Sequence, residues 1–126
     1  MNKKVLDSSA ILAVIFEEFG AEVIRPLLDC SLVSSVNLAE VYSKLSEKGI
    51  FDEQSIDDLQ KLGLEIVDFD LPQALKVADL RPLTRHLGLS LGDRCCLALA
   101  MIRNTTAVTA DREWQKLSFC PVEVIR

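Results

Sequence analysis

Residues 90–111 read SLGDRCCLALAMIRNTTAVTAD and carry the clearest fold signal in the chain. Ser90 can cap a helix whose residues 95–102 are almost entirely apolar, so the pattern predicts a buried helix that reaches about Arg103. A short β-branched run, Thr106 to Thr109, follows and predicts a strand. A buried helix that leads into a short apolar strand is typical of a parallel sheet covered by helices.

The same alternation of helix and strand extends over the rest of the chain. Four more short runs lie between helical stretches: Lys4 to Leu6, Ser31 to Ser34, Glu65 to Phe69 and Val122 to Ile125. With Thr106 to Thr109 they predict a doubly wound α/β fold, in which a mainly parallel five-stranded sheet has helices on both faces. The 126 residues contain no linker or repeat, which predicts a single domain over residues 1–126.

Between the predicted strands, residues that typically begin or end helices indicate where each helix lies. Besides the helix after Ser90, the predicted helices run from Ser9 to Glu17, from Ala21 to Leu28, from the cap Ser35 to Gly49, from the cap Asp52 to near Gly63, from Asp70 towards Gly88, and from Asp111 onward. Pro82 is expected to kink or split the helix that begins after Asp70, because a proline inside a helix removes a hydrogen bond.

Composition and charge exclude several classes of protein. Hydrophobic residues make up 49% of the chain, which excludes disorder, and the net charge of −5 argues against a protein that coats nucleic acid through a bulk positive field. No apolar run approaches the ~20 residues of a membrane span, and the N-terminus lacks the pattern of a signal peptide. The four cysteines form no C-x-x-C pair and are expected to be reduced. We therefore predict a cytoplasmic protein with no membrane partner.

Four acidic residues lie where a doubly wound sheet concentrates function, beyond strand ends and near helix starts. Asp7 follows the first predicted strand, and Asp111 comes two residues after Thr109. Glu40 has apolar neighbours in its helix, and Asp93 lies in the first turn of the apolar helix. Burying a carboxylate at a strand end is costly, and no Lys or Arg is positioned to pair with Asp7, so the pattern favours a bound cation.

If the four carboxylates converge, they form an oxygen-only site, which suits Mg²⁺ or Mn²⁺ and the hydrolysis of phosphodiesters. Each acid also has a structural interpretation. Asp93 with Ser90 fits a capping box, and Asp111 can cap the last helix. Glu40 can be solvated on an exposed helix face, and Asp7 can begin a turn.

Four segments together resemble a known family. They are Leu6-Asp7-Ser8-Ser9-Ala10, Asn37-Leu38-Ala39-Glu40-Val41, Ser90-Leu91-Gly92-Asp93-Arg94-Cys95-Cys96-Leu97-Ala98 and Thr109-Ala110-Asp111-Arg112. In order and spacing they are similar to the four acidic motifs of PIN domains, and more narrowly to the VapC-type toxins of bacterial toxin–antitoxin pairs. The resemblance covers essentially the whole chain.

The resemblance implies an endoribonuclease that depends on Mg²⁺ or Mn²⁺. The residues that match the family's acidic quartet are Asp7, Glu40, Asp93 and Asp111, and of these Asp7 and Asp93 match the positions most often assigned to metal. Ser9 matches a hydroxyl position near the metal, and Glu113 lies where some members carry an additional acid. The resemblance also implies a homodimer and a cognate antitoxin. RNA contacts are expected from a local basic rim: Arg94, Arg112, Arg81, Arg85, Arg103 and Lys116.

Three other functions remain open at this point. A phosphorylation receiver domain has the same length and architecture, although it should have adjacent acids after its first strand and a lysine after its last. A PIN-like fold can also serve RNA maturation, or binding alone. Finally, the predicted helical hairpin Ser35 to Lys61 carries four apolar residues that we expect to bury in part against an antitoxin or a second copy: Ile50, Phe51, Ile56 and Leu59.

Overall fold

A computed structural model describes residues 3–126, and these residues form a sheet of five short strands with helices on both faces. The strands are β1 (Lys4–Leu6), β2 (Ser31–Ser34), β3 (Glu65–Val67), β4 (Ala107–Thr109) and β5 (Val122–Val124). Their order is β3-β2-β1-β4-β5, and each neighbouring pair is parallel. The predicted α/β fold and its parallel sheet are confirmed.

Six α-helices and three 3₁₀ helices connect the strands over the described residues. The α-helices are α1 (Ser8–Ile15), α2 (Ala21–Ile24), α3 (Ser35–Glu47), α4 (Glu53–Gln60), α5 (Leu71–Thr84) and α6 (Leu91–Ile102). The 3₁₀ helices cover Arg25–Cys30, Arg85–Leu87 and Arg112–Lys116. None of these helices is long and apolar enough to span a membrane.

Three helix predictions are corrected. Ser34, not Ser35, caps α3: the Ser34 hydroxyl accepts from the Val36 amide, whereas the Ser35 hydroxyl accepts from the amide of Phe69. The segment predicted as one helix from Ala21 changes to a 3₁₀ helix at Arg25, just before Pro26, which has no amide to continue α-helical bonding. The helix after Asp111 is likewise a 3₁₀ helix.

The helix that begins after Asp70 is split before His86, as predicted, although not at Pro82 itself. The α-helix continues to Thr84, and only then does the 3₁₀ helix Arg85–Leu87 begin. Pro82 lies on the exposed side of α5, as does Ala78, whose carbonyl loses its helical donor. Because water can reach this side, the missing hydrogen bond is tolerated there.

Residues that alternate along the strands supply two apolar cores, one on each face of the sheet. Val5 and Leu32 pack with α5 and α6, while their neighbours Leu6 and Val33 pack with α1 and α3 on the other face. Residues 95–100 of α6 are buried, as predicted, but Ile102, which the prediction included, is exposed near the end of the helix. The sheet is therefore a rigid two-sided platform for the loops at its carboxyl edge.

The strand order creates a topological switch point between β1 and β4. From β1 the chain adds β2 and β3 on one side of the sheet, and it then crosses to add β4 and β5 on the other. At such a point the connections leave in opposite directions and open a crevice beyond the carboxyl ends of the strands. Asp7 follows β1 and Asp111 follows β4, so both residues flank this crevice.

Candidate active site

Asp7 is the buried centre of the crevice, with a relative exposure of 3%. It caps the N-terminus of α1 by accepting a hydrogen bond from the Ala10 amide at 2.9 Å. Two hydroxyls also donate to its carboxylate, Ser9 Oγ at 2.7 Å and Thr109 Oγ1 at 2.6 Å. Asp7 is therefore fixed in place by its own helix and by the end of β4.

Burial raises the pKa of Asp7 from 3.8 to about 6, although the hydrogen bonds from Thr109, Ser9 and Ala10 oppose the rise. The negative charge of Asp93 raises it further. No ion pair to a Lys, Arg or His side chain compensates Asp7 within residues 3–126. Its carboxylate is thus buried, oriented and electrostatically uncompensated, as the sequence predicts.

A hydroxyl network joins Asp7 to the segment that follows β4. Thr109 Oγ1 accepts from the Asp111 amide at 3.0 Å, and Ser9 Oγ accepts from the Ala110 amide at 2.9 Å. Nothing in the sequence pattern singles out Thr109 as a functional residue. Its only signal is a hydroxyl side chain at the end of an otherwise apolar strand, where it is fully buried.

Glu40 is positioned by Asn37, a second residue that the sequence does not single out. The fully buried Asn37 donates its Nδ2 to Glu40 Oε1 at 2.8 Å and to the carbonyl oxygen of Gly92 at 3.0 Å. A Cβ atom at Gly92 would overlap the Glu40 carboxylate, so the glycine lets this carboxylate lie directly against the start of α6. This contact brings Glu40 of α3 to the beginning of α6, next to Asp93.

Asp93 and Asp111 both have the capping roles that were the structural alternatives. Asp93 Oδ2 accepts from the Ser90 amide at 2.8 Å, and Ser90 Oγ accepts in return from the Asp93 amide, which completes a capping box. Asp111 Oδ1 accepts from the Glu113 amide and so caps the last 3₁₀ helix. The Glu113 carboxylate itself pairs with Lys116 at 2.8 Å.

The four predicted acids lie around one edge of the sheet, but they do not form a closed cluster. Burial raises the pKa of the Cys96 thiol, and the charges of Asp7 and Asp93 add to this effect, which places both carboxylates near the start of α6. Within residues 3–126, however, no three Asp, Glu, His or Cys side chains form a group arranged to hold a metal ion. The convergence of the four on one ion stays a prediction.

The residues present nevertheless suit a hard divalent cation. The donors are carboxylate oxygens, and Asp7 is buried without a compensating charge. Asn37 Oδ1 is buried and has no hydrogen-bond partner among residues 3–126, so an additional polar acceptor faces the interior beside Glu40. A bound cation would offset the unfavourable electrostatics that these groups experience together.

The two arginines next to the acids are held by backbone carbonyls. Arg94 Nη1 donates to Val77 in α5 at 3.2 Å, and Arg112 Nε donates to the carbonyl oxygen of Arg126 at 3.0 Å. Arg94 is half-buried, whereas Arg112 is exposed. Of the two, Arg112 has the more accessible charge for a contact with an anionic ligand.

Solved structures with the same fold include several bacterial protein complexes. DNA-bound VapBC from Salmonella typhimurium is 21% identical, with 100% of each chain covered and a TM-score of 0.76. VapBC2 from Rickettsia felis, bound to a DNA fragment from the promoter, is 22% identical over 98% of each chain, also with a TM-score of 0.76. VapBC-5 from Mycobacterium tuberculosis, a toxin–antitoxin system, is 24% identical over 100% of this chain and 99% of that one, with a TM-score of 0.68.

The search of curated proteins finds no match. The family model of the PIN domain matches residues 4–119, from the first residue of β1 to beyond the last 3₁₀ helix. This match includes all four acidic segments and the crevice between β1 and β4, and it rejects the alternative of a receiver domain. The chain belongs to the PIN domain family.

Proposed function

We propose that this protein is a divalent-metal-dependent endoribonuclease that acts as the toxin of a toxin–antitoxin pair. The observation that carries the proposal is Asp7, a buried carboxylate without a compensating charge at the switch point of the sheet. Glu40, Asp93 and Asp111 surround the same edge. The likeness of fold to VapBC proteins supports the toxin assignment.

Asp7 and Asp93 are the residues that would hold a Mg²⁺ or Mn²⁺ ion. Such an ion supplies positive charge for phosphate oxygens and lowers the pKa of a water molecule. The hydroxyls of Ser9 and Thr109 keep the Asp7 carboxylate oriented by donating to its two oxygens. Asn37 holds Glu40 in the same way from the other side of the crevice.

The reaction that fits these groups is the hydrolysis of a phosphodiester. Glu40 or Asp111 accepts a hydrogen bond from the attacking water and so orients it towards phosphorus. The water oxygen forms a new bond to phosphorus and gives a proton to the Glu40 or Asp111 carboxylate that orients it, while the bond to the leaving sugar oxygen breaks and that oxygen takes up a proton from solvent. Because the proposed substrate is RNA, we assign the activity to the cytoplasm. The four free thiols of the chain would stay reduced in that compartment.

A groove between α1 and the hairpin of α3 and α4 is the surface that we assign to the antitoxin. It has a volume of about 430 Å³, and its walls include Val14, Leu45, Ile50 and Leu62. Of the predicted hairpin residues, Ile50 and Phe51 are 46% and 45% exposed, while Leu59 is buried. The groove therefore offers an apolar site for side chains of an antitoxin segment.

The outer face of α5 supports the predicted homodimer. Leu71, Leu75, Ala78 and Pro82 follow a 4-3-4 spacing and are all exposed, the two leucines by 70% and 62%. An antiparallel pairing of two α5 helices would bury this stripe. It would also bring the acidic N-terminal end of each helix, with Asp68 and Asp70, towards the basic C-terminal end of the other, with Arg81 and Arg85.

RNA cleavage by the Asp7→Asn variant tests the proposed activity. The substitution keeps the shape of the side chain but removes the charge needed to hold a cation. We expect cleavage of single-stranded RNA to need Mg²⁺ or Mn²⁺, to stop with EDTA, and to fall by about two orders of magnitude or more in the variant. The rate is measured by gel electrophoresis of a labelled RNA.

Asp57→Asn is the matched control, because Asp57 is an exposed acid in α4 that pairs only with Lys61. This variant should cleave at the wild-type rate. Equal rates for wild type and Asp7→Asn would reject Asp7 as a metal ligand. A metal-dependent RNA cleavage without growth arrest on expression would favour RNA maturation over the toxin role.

A further inference from the structure

A groove of about 440 Å³ begins at the active-site edge and runs along α1 to the end of α3. Ser9 lies at one end of it, and the Ser9 hydroxyl is also the group that donates to Asp7. Phe16, at the C-terminus of α1, forms part of the wall. The groove is thus directly continuous with the proposed catalytic centre.

Positive charge is concentrated in this groove although the whole chain carries a net charge of −5. Its lining contains Lys44, Lys48 and Arg126 and one acid, Glu18, while Lys44 also pairs at 3.4 Å with Glu47 outside the lining. Arg126 is held in place, because its guanidinium bonds to the Phe19 carbonyl oxygen at 3.2 Å and lies 3.5 Å from Glu18. A local excess of positive charge on an acidic protein indicates an anionic ligand.

An aromatic ring lies among these charges. The Nζ atom of Lys48 is 5.2 Å from the centre of the Phe16 ring, and the ring is only half-buried. When Lys48 turns from the ring face to a neighbouring phosphate, a base can take its place on the ring, which is the combination that single-stranded nucleic acids use. An acidic peptide would use the cations but would gain nothing from the ring.

We propose that this groove holds single-stranded RNA on one side of the phosphate that is cleaved. Lys44, Lys48 and Arg126 contact backbone phosphates, and Phe16 stacks against a base. The proposal rests on the ribonuclease function, and it adds the path that the strand takes away from the catalytic centre. A duplex cannot offer a free base to Phe16, so we expect it to bind more weakly.

Binding of a labelled single-stranded RNA dodecamer, measured by fluorescence anisotropy at several KCl concentrations, tests the groove. The Asp7→Asn chain in EDTA is the parent, so cleavage does not interfere. Adding Lys44→Ala with Lys48→Ala should weaken binding about tenfold or more and reduce the salt slope by about 1.4, because each phosphate contact on a single strand contributes about 0.7. Adding Phe16→Leu should weaken binding about fivefold or more and leave the slope unchanged.

Lys3→Ala with Lys61→Ala is the charge-matched control. Lys3 precedes β1, at the end of the sheet opposite to Asp7, and Lys61 is exposed beyond α4. This pair should leave affinity and slope close to those of the parent. Circular dichroism confirms that each variant is folded.

Each outcome separates the groove from the proposed function. If the groove variants bind RNA as tightly as the parent and wild type cleaves RNA, the RNA-binding role of the groove is rejected. The proposed nuclease activity is then retained. If the groove variants bind RNA more weakly than the parent but wild type cleaves no RNA, the RNA-binding role of the groove is supported. The proposed nuclease activity is then rejected. An octaglutamate probe that binds in a groove-dependent way, with no binding of RNA, would identify a protein-binding surface and overturn the proposal.

Discussion

Asp7 combines two roles that oppose each other in the metal-free protein. As the N-cap of α1 its carboxylate is stabilising, because it accepts the Ala10 amide bond and lies at the positive end of the helix. As a buried charge without a compensating cation it is destabilising, and its pKa rises to about 6. The local bonds are too few to offset the loss of water around the carboxylate.

The raised pKa predicts how stability depends on pH. Between pH 3.8 and about 6 the folded protein keeps a proton on Asp7 that the unfolded chain has released. The free energy of unfolding therefore decreases as pH rises through this window, in total by about 3 kcal/mol. We expect metal-free Asp7→Asn to match wild type near pH 4 and to exceed it by up to this amount at pH 7.5, as measured by urea denaturation in EDTA.

Wild type and Asp7→Asn share all their other titrating groups. The difference between their free energies of unfolding therefore reports on Asp7. Asparagine can still accept from Ser9 and Ala10 through its Oδ1. Its Nδ2 can donate to Thr109 Oγ1, because Thr109 can turn its own hydroxyl towards Ser9, 3.3 Å away. Saturating Mn²⁺ at pH 7.5 should reduce the difference in free energy of unfolding between wild type and Asp7→Asn, because the ion stabilises wild type alone. A stability difference that is the same at both pH values would contradict the explanation.

At the level of elements, the contact between α3 and α6 sets the position of Glu40. Asn37 bridges the two helices through Glu40 and the Gly92 carbonyl, and Gly92 leaves no room for a side chain. The carboxylate is the movable end of Glu40. An added methyl group on Gly92 would therefore displace this carboxylate rather than the helices.

Gly92→Ala should separate activity from stability. Alanine favours a helix over glycine by up to about 1 kcal/mol, so the melting temperature should stay the same or rise slightly. The displaced Glu40 should lower RNA cleavage about tenfold or more. Thermal unfolding and cleavage rates measure the two effects.

Glu40→Gln is the partner for a double-mutant cycle. If Gly92→Ala acts through Glu40, adding it to Glu40→Gln should cause little further loss of cleavage. Additive losses would show that the methyl group acts elsewhere in the site.

The sequence predicts elements better than it predicts side-chain partners. The bounds of β1 and β2 coincide with the predicted runs, because short buried strands have a strong composition signal. The four acids are visible because isolated charges in apolar segments are unusual. Asn37 and Thr109 are not, because Asn37 contacts Gly92 55 residues away and Thr109 contacts Asp7 102 residues away. Such roles depend on the assembled sheet.

At the scale of the whole molecule, one face of α5 packs against the core and the opposite face is exposed. Gln73, Val77, Leu80 and Thr84 face the core, while the stripe that includes Leu71 and Leu75 faces outward. A helix that is apolar on both sides usually buries both. We therefore expect the outward stripe to be buried against a second copy of the chain.

Leu75→Glu should convert the proposed dimer to a monomer. The substitution places two charges near the proposed two-fold axis, yet Leu75 is 62% exposed, so the fold of the monomer should be unaffected. Sedimentation equilibrium across micromolar concentrations measures the mass. Ile102→Glu, at an exposed apolar position outside α5, should remain a dimer. A wild-type chain that is monomeric throughout would reject the interface.

The central place of β1 in the sheet has a consequence for the synthesis of the chain. β1 leaves the ribosome first, but one of its two neighbours, β4, is made about a hundred residues later. Until Thr109 emerges, the Asp7 carboxylate lacks its partner from β4, and the crevice has only one wall. The nascent chain therefore has no assembled crevice around Asp7 until β4 has been synthesised and has paired with β1.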